Sequence, residues 1–138
     1  MLALTRHVYE SMIAHALDGL PDEACGLFAA DPLTARIDRF FPMVNAAASS
    51  RLYRLDGREM MAVEAEVDAA GLVLAGVMHS HTHTTAYPSP TDVHDAEAFD
   101  PFGVWLFVIV SLKHPEPALR AYRILGDDIT EVPLTIVG

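Results

Sequence analysis

His79-Ser80-His81-Thr82-His83-Thr84-Thr85-Ala86-Tyr87-Pro88-Ser89-Pro90-Thr91-Asp92 decides how this chain is read. Ahead of it runs Leu72 to His79, an apolar stretch of strand length. Its far end, Ser89-Pro90-Thr91-Asp92, is a helix start, with Pro90 at the favoured first helical position. Residues two apart on a strand point to the same face, so His79 and His81 can reach one ion. The chain then loops back, and the first turn of the helix presents Asp92. Two neutral imidazole nitrogens and one carboxylate suit a single Zn²⁺ and leave a fourth position open for water. A structural zinc site fills that position; a catalytic one keeps it free.

Outward from this segment the patterning alternates between helix and strand periods. A first helix is expected over about Thr5 to Asp18, where Val8, Met12, Ala16 and Leu17 form an apolar stripe and Gly19 with Pro21 ends it. Ala24 to Ala30 reads as a buried strand closed by the Asp31-Pro32 turn, Ala35 to Met43 as a second strand, and Leu52 to Leu55 as a short third. Asp56 is a helix N-cap with Glu59 three residues on, a capping-box pattern, and that helix continues to about Ala70 and stops at Gly71. After the central segment come strands over Val104 to Leu112, Ala118 to Ile124 and Ile129 to Val137, the last placed at an edge or a bulge by Pro133. The expected fold is α/β: one domain over residues 1–138, a mixed central β-sheet flanked by helices.

A water-activating metal site needs a base. Glu23 is the candidate, in Pro21-Asp22-Glu23-Ala24-Cys25-Gly26, where the first helix gives way to the first strand. A carboxylate near the metal can take a proton from the attacking water and pass it to the leaving amine. Ser89 is placed to donate a hydrogen bond to the developing oxyanion. Each residue also has a plainer reading. Ser89 and Asp92 make a good helix cap on their own, and a cap and a metal site can coexist. His83 shares the parity of His79 and His81 but falls in the loop, and His94 is turned away from Asp92 by helix geometry. Cys25 shares the face of Glu23 if the strand begins there; it is a small buried core residue or a thiol bordering the cleft.

Bulk properties narrow the classes. The chain has 138 residues, 51% of them hydrophobic and 20% charged, the balance of a globular domain. No apolar run reaches the roughly 20 residues of a membrane span, and the start lacks the order of a secretory signal. The single cysteine rules out an internal disulfide framework, so a cytoplasmic setting is expected. A formal charge of −10 repels phosphate backbones and weighs against a nucleic-acid partner. Other metal folds fit less well. There is no His-Glu-x-x-His, no Pro-Cys-x-x-Cys of the zinc deaminases, and too little chain for a TIM barrel of at least about 200 residues. A cupin-like barrel stays open, although Thr84 and Thr85 stand where it wants a glutamate.

Glu23, then His79-Ser80-His81, seven residues, Ser89, two residues and Asp92 resembles the JAMM (MPN-plus) metallopeptidase motif at every position. The resemblance implies that His79, His81 and Asp92 bind zinc, that Glu23 is the general acid and base, and that Ser89 stabilises the oxyanion. It also implies a JAMM/MPN-type, cytidine-deaminase-like α/β fold. Pro21 to Gly26, Leu52-Tyr53-Arg54-Leu55-Asp56, Ala86-Tyr87-Pro88-Ser89 and Ala121-Tyr122-Arg123-Ile124 further resemble the small bacterial branch that processes ubiquitin-like sulfur-carrier proteins. That branch implies a partner with a C-terminal Gly-Gly tail and hydrolysis of its bond to an attached amino acid, cysteine foremost. Two readings of other classes stay open: removal of a ubiquitin-like modifier from protein lysines, and a metal-free scaffold of the same fold.

Overall fold

The computed structural model describes residues 1–138. Its elements are β1 (Leu2–Thr5), α1 (Arg6–Asp18), β2 (Cys25–Ala30), β3 (Ile37–Met43), α2 (Gly57–Ala69), β4 (Val73–His81), α3 (Pro90–Phe99), β5 (Leu106–Ser111), β6 (Ala118–Leu125), β7 (Asp128–Val132) and β8 (Leu134–Val137). No helix is long and apolar enough to cross a membrane.

The eight strands form one mixed sheet in the order β7-β6-β5-β4-β2-β3-β1-β8. β4 runs parallel to β5, and β1 runs parallel to both β3 and β8. The inner strands β2 and β5 are buried at every position, which is why both read as unbroken apolar runs. One face packs Leu27, Val77, Phe107 and Ile109 against Val63 and Val67 of α2 and Ala96 of α3. The other packs Phe28, Met78 and Val108 against Val8, Met12 and Ala16 of α1. His79 and His81 lie on the α2–α3 face, continuing the row begun by Val77.

Local signals hold the helices where they are. The Thr5 hydroxyl accepts from the Val8 N–H at 3.2 Å and starts α1. Asp56 accepts from the Glu59 N–H at 3.0 Å and starts α2. The expected reciprocal bond of that capping box is replaced, because the Glu59 carboxylate accepts from the Val44 N–H at 3.3 Å and ties α2 to the end of β3. The register of β4 against β2 shifts between Phe28↔Gly76 and Ala29↔Leu74, leaving Ala75 as an extra residue. Gly76 is required beside that bulge: a Cβ there would stand 2.0 Å from the Leu106 carbonyl oxygen of β5.

Two expectations are corrected, and one strand is not expected from the sequence. β1 carries no sequence signal of its own, being four residues whose partners, Leu134 to Val137, lie at the opposite end of the chain. Leu52 to Leu55 is not a strand. Its alternation is real, with Tyr53 and Leu55 buried and Leu52 and Arg54 exposed, but no neighbouring strand pairs with it, and the backbones of Tyr53 and Leu55 make no hydrogen bond. The last strand, expected over Ile129 to Val137, breaks at Pro133 into β7 and β8, which pair at opposite edges of the sheet. One residue spans at most about 7 Å between its neighbours, so the sheet curls until its two edges meet at Pro133. The Pro133 carbonyl accepts from the Leu2 N–H at 2.8 Å at that junction.

Candidate active site

The pairing of β2 with β4 builds the site. Cys25 lies directly opposite His79, so the residue before Ala24 arrives beside the C-terminal end of β4. Ser80, between the two histidines, locks this approach: its hydroxyl accepts from the Ala24 N–H at 2.8 Å, and its own N–H donates to the Ala24 carbonyl at 2.9 Å. Glu23 is thereby brought to the cleft that contains His81 and Ser89. On the far side, α3 starts at Ser89 with a complete capping box. The Asp92 N–H donates to Ser89 Oγ at 3.1 Å, and the Ser89 N–H donates to Asp92 Oδ2 at 2.9 Å.

Three electron-rich atoms then converge. His79 Nε2 and His81 Nε2 are 3.1 Å apart, and Asp92 Oδ2 stands 3.2 Å from the first and 3.0 Å from the second. His79 and His81 are buried, and Asp92 is 9% exposed. His81 Nδ1 lies 2.8 Å from the Thr85 carbonyl oxygen and donates to it, so the neutral ring presents the lone pair of Nε2 to the cluster. Two imidazole lone pairs and a carboxylate oxygen at such separations repel one another unless a proton or a cation sits among them. Donors about 2.0–2.1 Å from one tetrahedral centre lie about 3.3 Å apart, close to what is found here. The donor set therefore fits a tetrahedral metal ion held by His79, His81 and Asp92.

Electrostatics follow from the burial. Glu23 is 5% exposed, and its Oε1 is buried with no hydrogen-bond partner. Desolvation pushes its carboxyl up to about 8, with His81 opposing the rise and Asp92 adding to it. Burial acts in the same sense on Asp92, but neighbouring His79 and the bonds from both imidazoles and the Ser89 N–H outweigh it and hold the group well below the usual carboxylate range. The His81 imidazole is raised: burial lowers it, and its bonds to Asp92 and Thr85 prevail. Cys25 is fully buried opposite His79, and desolvation lifts its thiol to about 12, so it stands as a core residue on the same face as the site.

Several residues outside the five of the motif support the site. The Tyr53 ring stacks on His79, and its other side faces Phe99 at a centroid distance of 6.3 Å. Asn45 organises the loop after β3, its amide donating to the carbonyls of Glu23 at 3.0 Å and Leu52 at 2.9 Å while its oxygen accepts from the N–H groups of Ala47 and Arg54. The loop after His81 is pinned by bonds from Ser111 to Thr84, from Tyr122 to Ala86 and from Thr82 to the Ser50 carbonyl. His83 is exposed at the mouth of the cleft, and His94 is exposed on α3 and does not line it. His15 bonds the carbonyls of Cys25 and Met43 and is structural.

Residues 5–125 match the family of prokaryotic homologs of the JAB domain, and the chain belongs to that family. With the site it carries, it is a hydrolase of the JAMM type. Along 99% of its length it is 39% identical to a CysO-cysteine peptidase of Mycobacterium tuberculosis, covering 92% of that protein. It is also 28% identical, over 76% of the chain and 70% of the relative, to a probable TtuB-protein conjugate cleaving protease of Thermus thermophilus. A solution structure of a Desulfitobacterium hafniense protein superposes with a TM-score of 0.87 at 33% identity, covering 99% of this chain and 93% of that one.

Proposed function

We propose that this protein is a cytoplasmic, zinc-dependent peptidase that hydrolyses the bond between the C-terminus of a ubiquitin-like sulfur-carrier protein and an attached amino acid, cysteine foremost. The observation that carries the reading is the convergence of His79 Nε2, His81 Nε2 and Asp92 Oδ2 beside a buried, unpartnered Glu23 carboxyl. The two named relatives support the substrate class, since their names specify a cysteine adduct and a protein conjugate.

One Zn²⁺ held by the trio supplies a Lewis acid that acidifies water and polarises a carbonyl. Glu23 accepts the proton of the attacking water and delivers it to the leaving amine. Burial raises this carboxyl in the metal-free chain, and a divalent cation beside it would favour the ionised form that accepts the proton. Ser89 Oγ accepts from the Asp92 N–H, which leaves its own O–H free to donate to the oxyanion that develops on the scissile carbonyl.

A Gly-Gly tail is narrow enough to enter as an extended strand. The free backbone groups of Tyr53 and Leu55 offer it an edge beside the site. The loop from Thr82 to Pro88 forms the opposite wall. The alternative, an isopeptidase acting on lysine-linked modifiers, draws on the Thermus relative. Mass spectrometry of a carrier–cysteine adduct and a carrier–lysine isopeptide, each incubated with zinc-loaded wild type and Glu23→Gln, separates the two. The reading expects faster release of cysteine by the wild type and none by the variant. Equal cleavage by both proteins overturns the mechanism, and faster lysine cleavage overturns the substrate.

A further inference from the structure

The cleft that holds Glu23, His81 and Ser89 is a cavity of about 370 Å³ lined by no hydrophobic residue. Its remaining walls are Ser50, Arg51, Thr82, His83 and Thr84. Arg51 brings the only permanent positive charge to this space, and its guanidinium has no ion pair within the chain. The position of Arg51 is fixed by bonds on either side of the site. The Glu23 N–H donates to the Ser49 carbonyl at 2.8 Å, the Thr82 hydroxyl donates to the Ser50 carbonyl at 3.1 Å, and the Arg51 N–H donates to Ser49 Oγ at 3.1 Å. Backbone adjoining Arg51 is thus tied to the proposed proton carrier and to the residue that follows His81.

We propose that Arg51 binds the free α-carboxylate of the released amino acid and so selects a single terminal amino acid over a lysine side chain as the leaving group. The inference rests on the peptidase reading above and specifies how that site chooses. In an amino acid joined through its α-amine, one carbon separates the scissile nitrogen from the carboxylate. The group that binds the carboxylate must therefore share the cavity with Glu23, which protonates that nitrogen, and Arg51 does. Hydrolysis adds water across the bond, giving the carrier carboxylate and an amino acid whose amine carries the proton that Glu23 transferred. In a chain of net charge −10, an anionic leaving group is favoured where a fixed cation faces it. A guanidinium meets a carboxylate in a two-pronged, charge-assisted geometry. A lysine-linked leaving group offers nothing to it, because four methylenes separate its nitrogen from the α-carbon and its carboxyl is engaged in a peptide bond.

The test uses a ubiquitin-like carrier protein ligated at its terminal glycine to cysteine or to cysteinamide, which differ only in the charge of the carboxyl. The zinc-loaded full chain is assayed as wild type, Arg51→Gln and Arg51→Lys. The wild type is expected to favour the cysteine adduct by about tenfold or more in kcat/KM, the scale of a hydrogen bond to a charged group. Arg51→Gln brings the ratio to about one, and Arg51→Lys retains part of it. Arg51 is exposed, so zinc content and melting temperature should match the wild type and report an intact fold. An equal ratio in wild type and Arg51→Gln, or no preference in the wild type, overturns the assignment while leaving the peptidase reading intact. A wild type that cleaves neither adduct overturns the peptidase reading and Arg51's role together.

Discussion

The Tyr53 ring lies almost flat against the His79 imidazole, with centroids 4.5 Å apart and planes inclined by 19°. His79 Nδ1 is buried and has no hydrogen-bond partner, whereas His81 Nδ1 is held by the Thr85 carbonyl. The two imidazole rings of the proposed metal site are therefore oriented by different means, one by a hydrogen bond and the other by stacking. Tyr53 is itself backed by Phe99, which continues to Trp105. An aromatic row running from the helix layer to the metal cluster thus sets the aim of His79.

Tyr53→Leu keeps apolar volume and loses the flat face. It is expected to weaken zinc binding about tenfold, the scale found when support behind a ligand is removed, while Tyr53→Phe stays near the wild type. Competition against a chromophoric chelator measures this. Equal zinc affinity in Tyr53→Leu and the wild type would show that stacking does not position His79.

Glu23 gives a pH signature in the zinc-free protein. Its ordinary value is 4.5 and burial raises it to about 8. Above pH 4.5 the unfolded chain releases this proton and the folded chain keeps it, so folding loses stability as pH rises, and the loss is complete above about 8. Glu23→Gln removes that penalty. The variant should match the wild type near pH 4 and exceed it at pH 8.5 by about 2 kcal/mol, a value reduced for the solvent that an open cleft admits. Urea denaturation of the two apo-proteins at both pH values checks it, and a gap independent of pH refutes it. The same substitution is expected to abolish turnover, which would be activity held at the expense of stability.

Asp92 joins two jobs that substitution can separate. Its Oδ2 converges with His79 Nε2 and His81 Nε2 at the proposed metal site and also accepts from the Ser89 N–H. Asp92→Asn keeps an acceptor for that N–H and loses the charge. It is expected to lower zinc affinity by about 100-fold or more, with the helix start retained. Ser89→Ala should do the reverse, costing about 1 kcal/mol of stability through the lost cap and leaving zinc bound, while kcat falls by about 100-fold through the lost oxyanion donor. Zinc quantification beside thermal melts tests both. A zinc-replete Asp92→Asn would remove Asp92 from the ligand set.

What could be read from the chain follows sequence distance. His79, His81, Ser89 and Asp92 fall in one window, and their geometry needs only strand parity and a helix start, both local. Helices α1 and α2 announce themselves by caps and period. β1 does not, because its partners β3 and β8 are both distant in sequence, β8 at the other end of the chain. Leu52 to Leu55 shows the correct alternation, yet a ladder depends on what lies alongside, and nothing pairs there. Pro133 carries a signal that is right in kind, an edge, and silent on the fact that it joins two edges. Tyr53 falls in a block that resembles the family, but its stacking on His79 and the place of Arg51 in the cleft come from tertiary packing. Cys25 is legible to the extent that strand parity reaches: its face is right, and its depth comes from the layers on both sides of β2.

Asn45 is the supporting residue for which a signal does exist. Its oxygen accepts from the Ala47 N–H at 3.0 Å, the Asx turn that asparagine favours after a strand. Sequence shows the turn but not its second use. The Asn45 amide donates to the carbonyl of Glu23 and to that of Leu52, joining the proposed proton carrier to the segment proposed to receive the carrier tail. Asn45→Ala leaves the part-buried Glu23 carbonyl without this donor, a cost of about 1 kcal/mol, while water can reach the exposed Leu52 carbonyl and Arg54 N–H. Because no metal ligand is touched, zinc content should stay at the wild-type level. Displacement of Glu23 should lower kcat, and displacement of Leu52 should raise KM, each by about tenfold. Asn45→Asp tests the assignment further: it retains the acceptor that makes the turn and lacks the donor that holds Glu23 and Leu52. It should therefore keep more stability than Asn45→Ala while losing comparable activity. Steady-state kinetics with metal analysis reads out both variants, and full activity in Asn45→Asp would show that the turn alone, without the bridge to Glu23, is what the site requires.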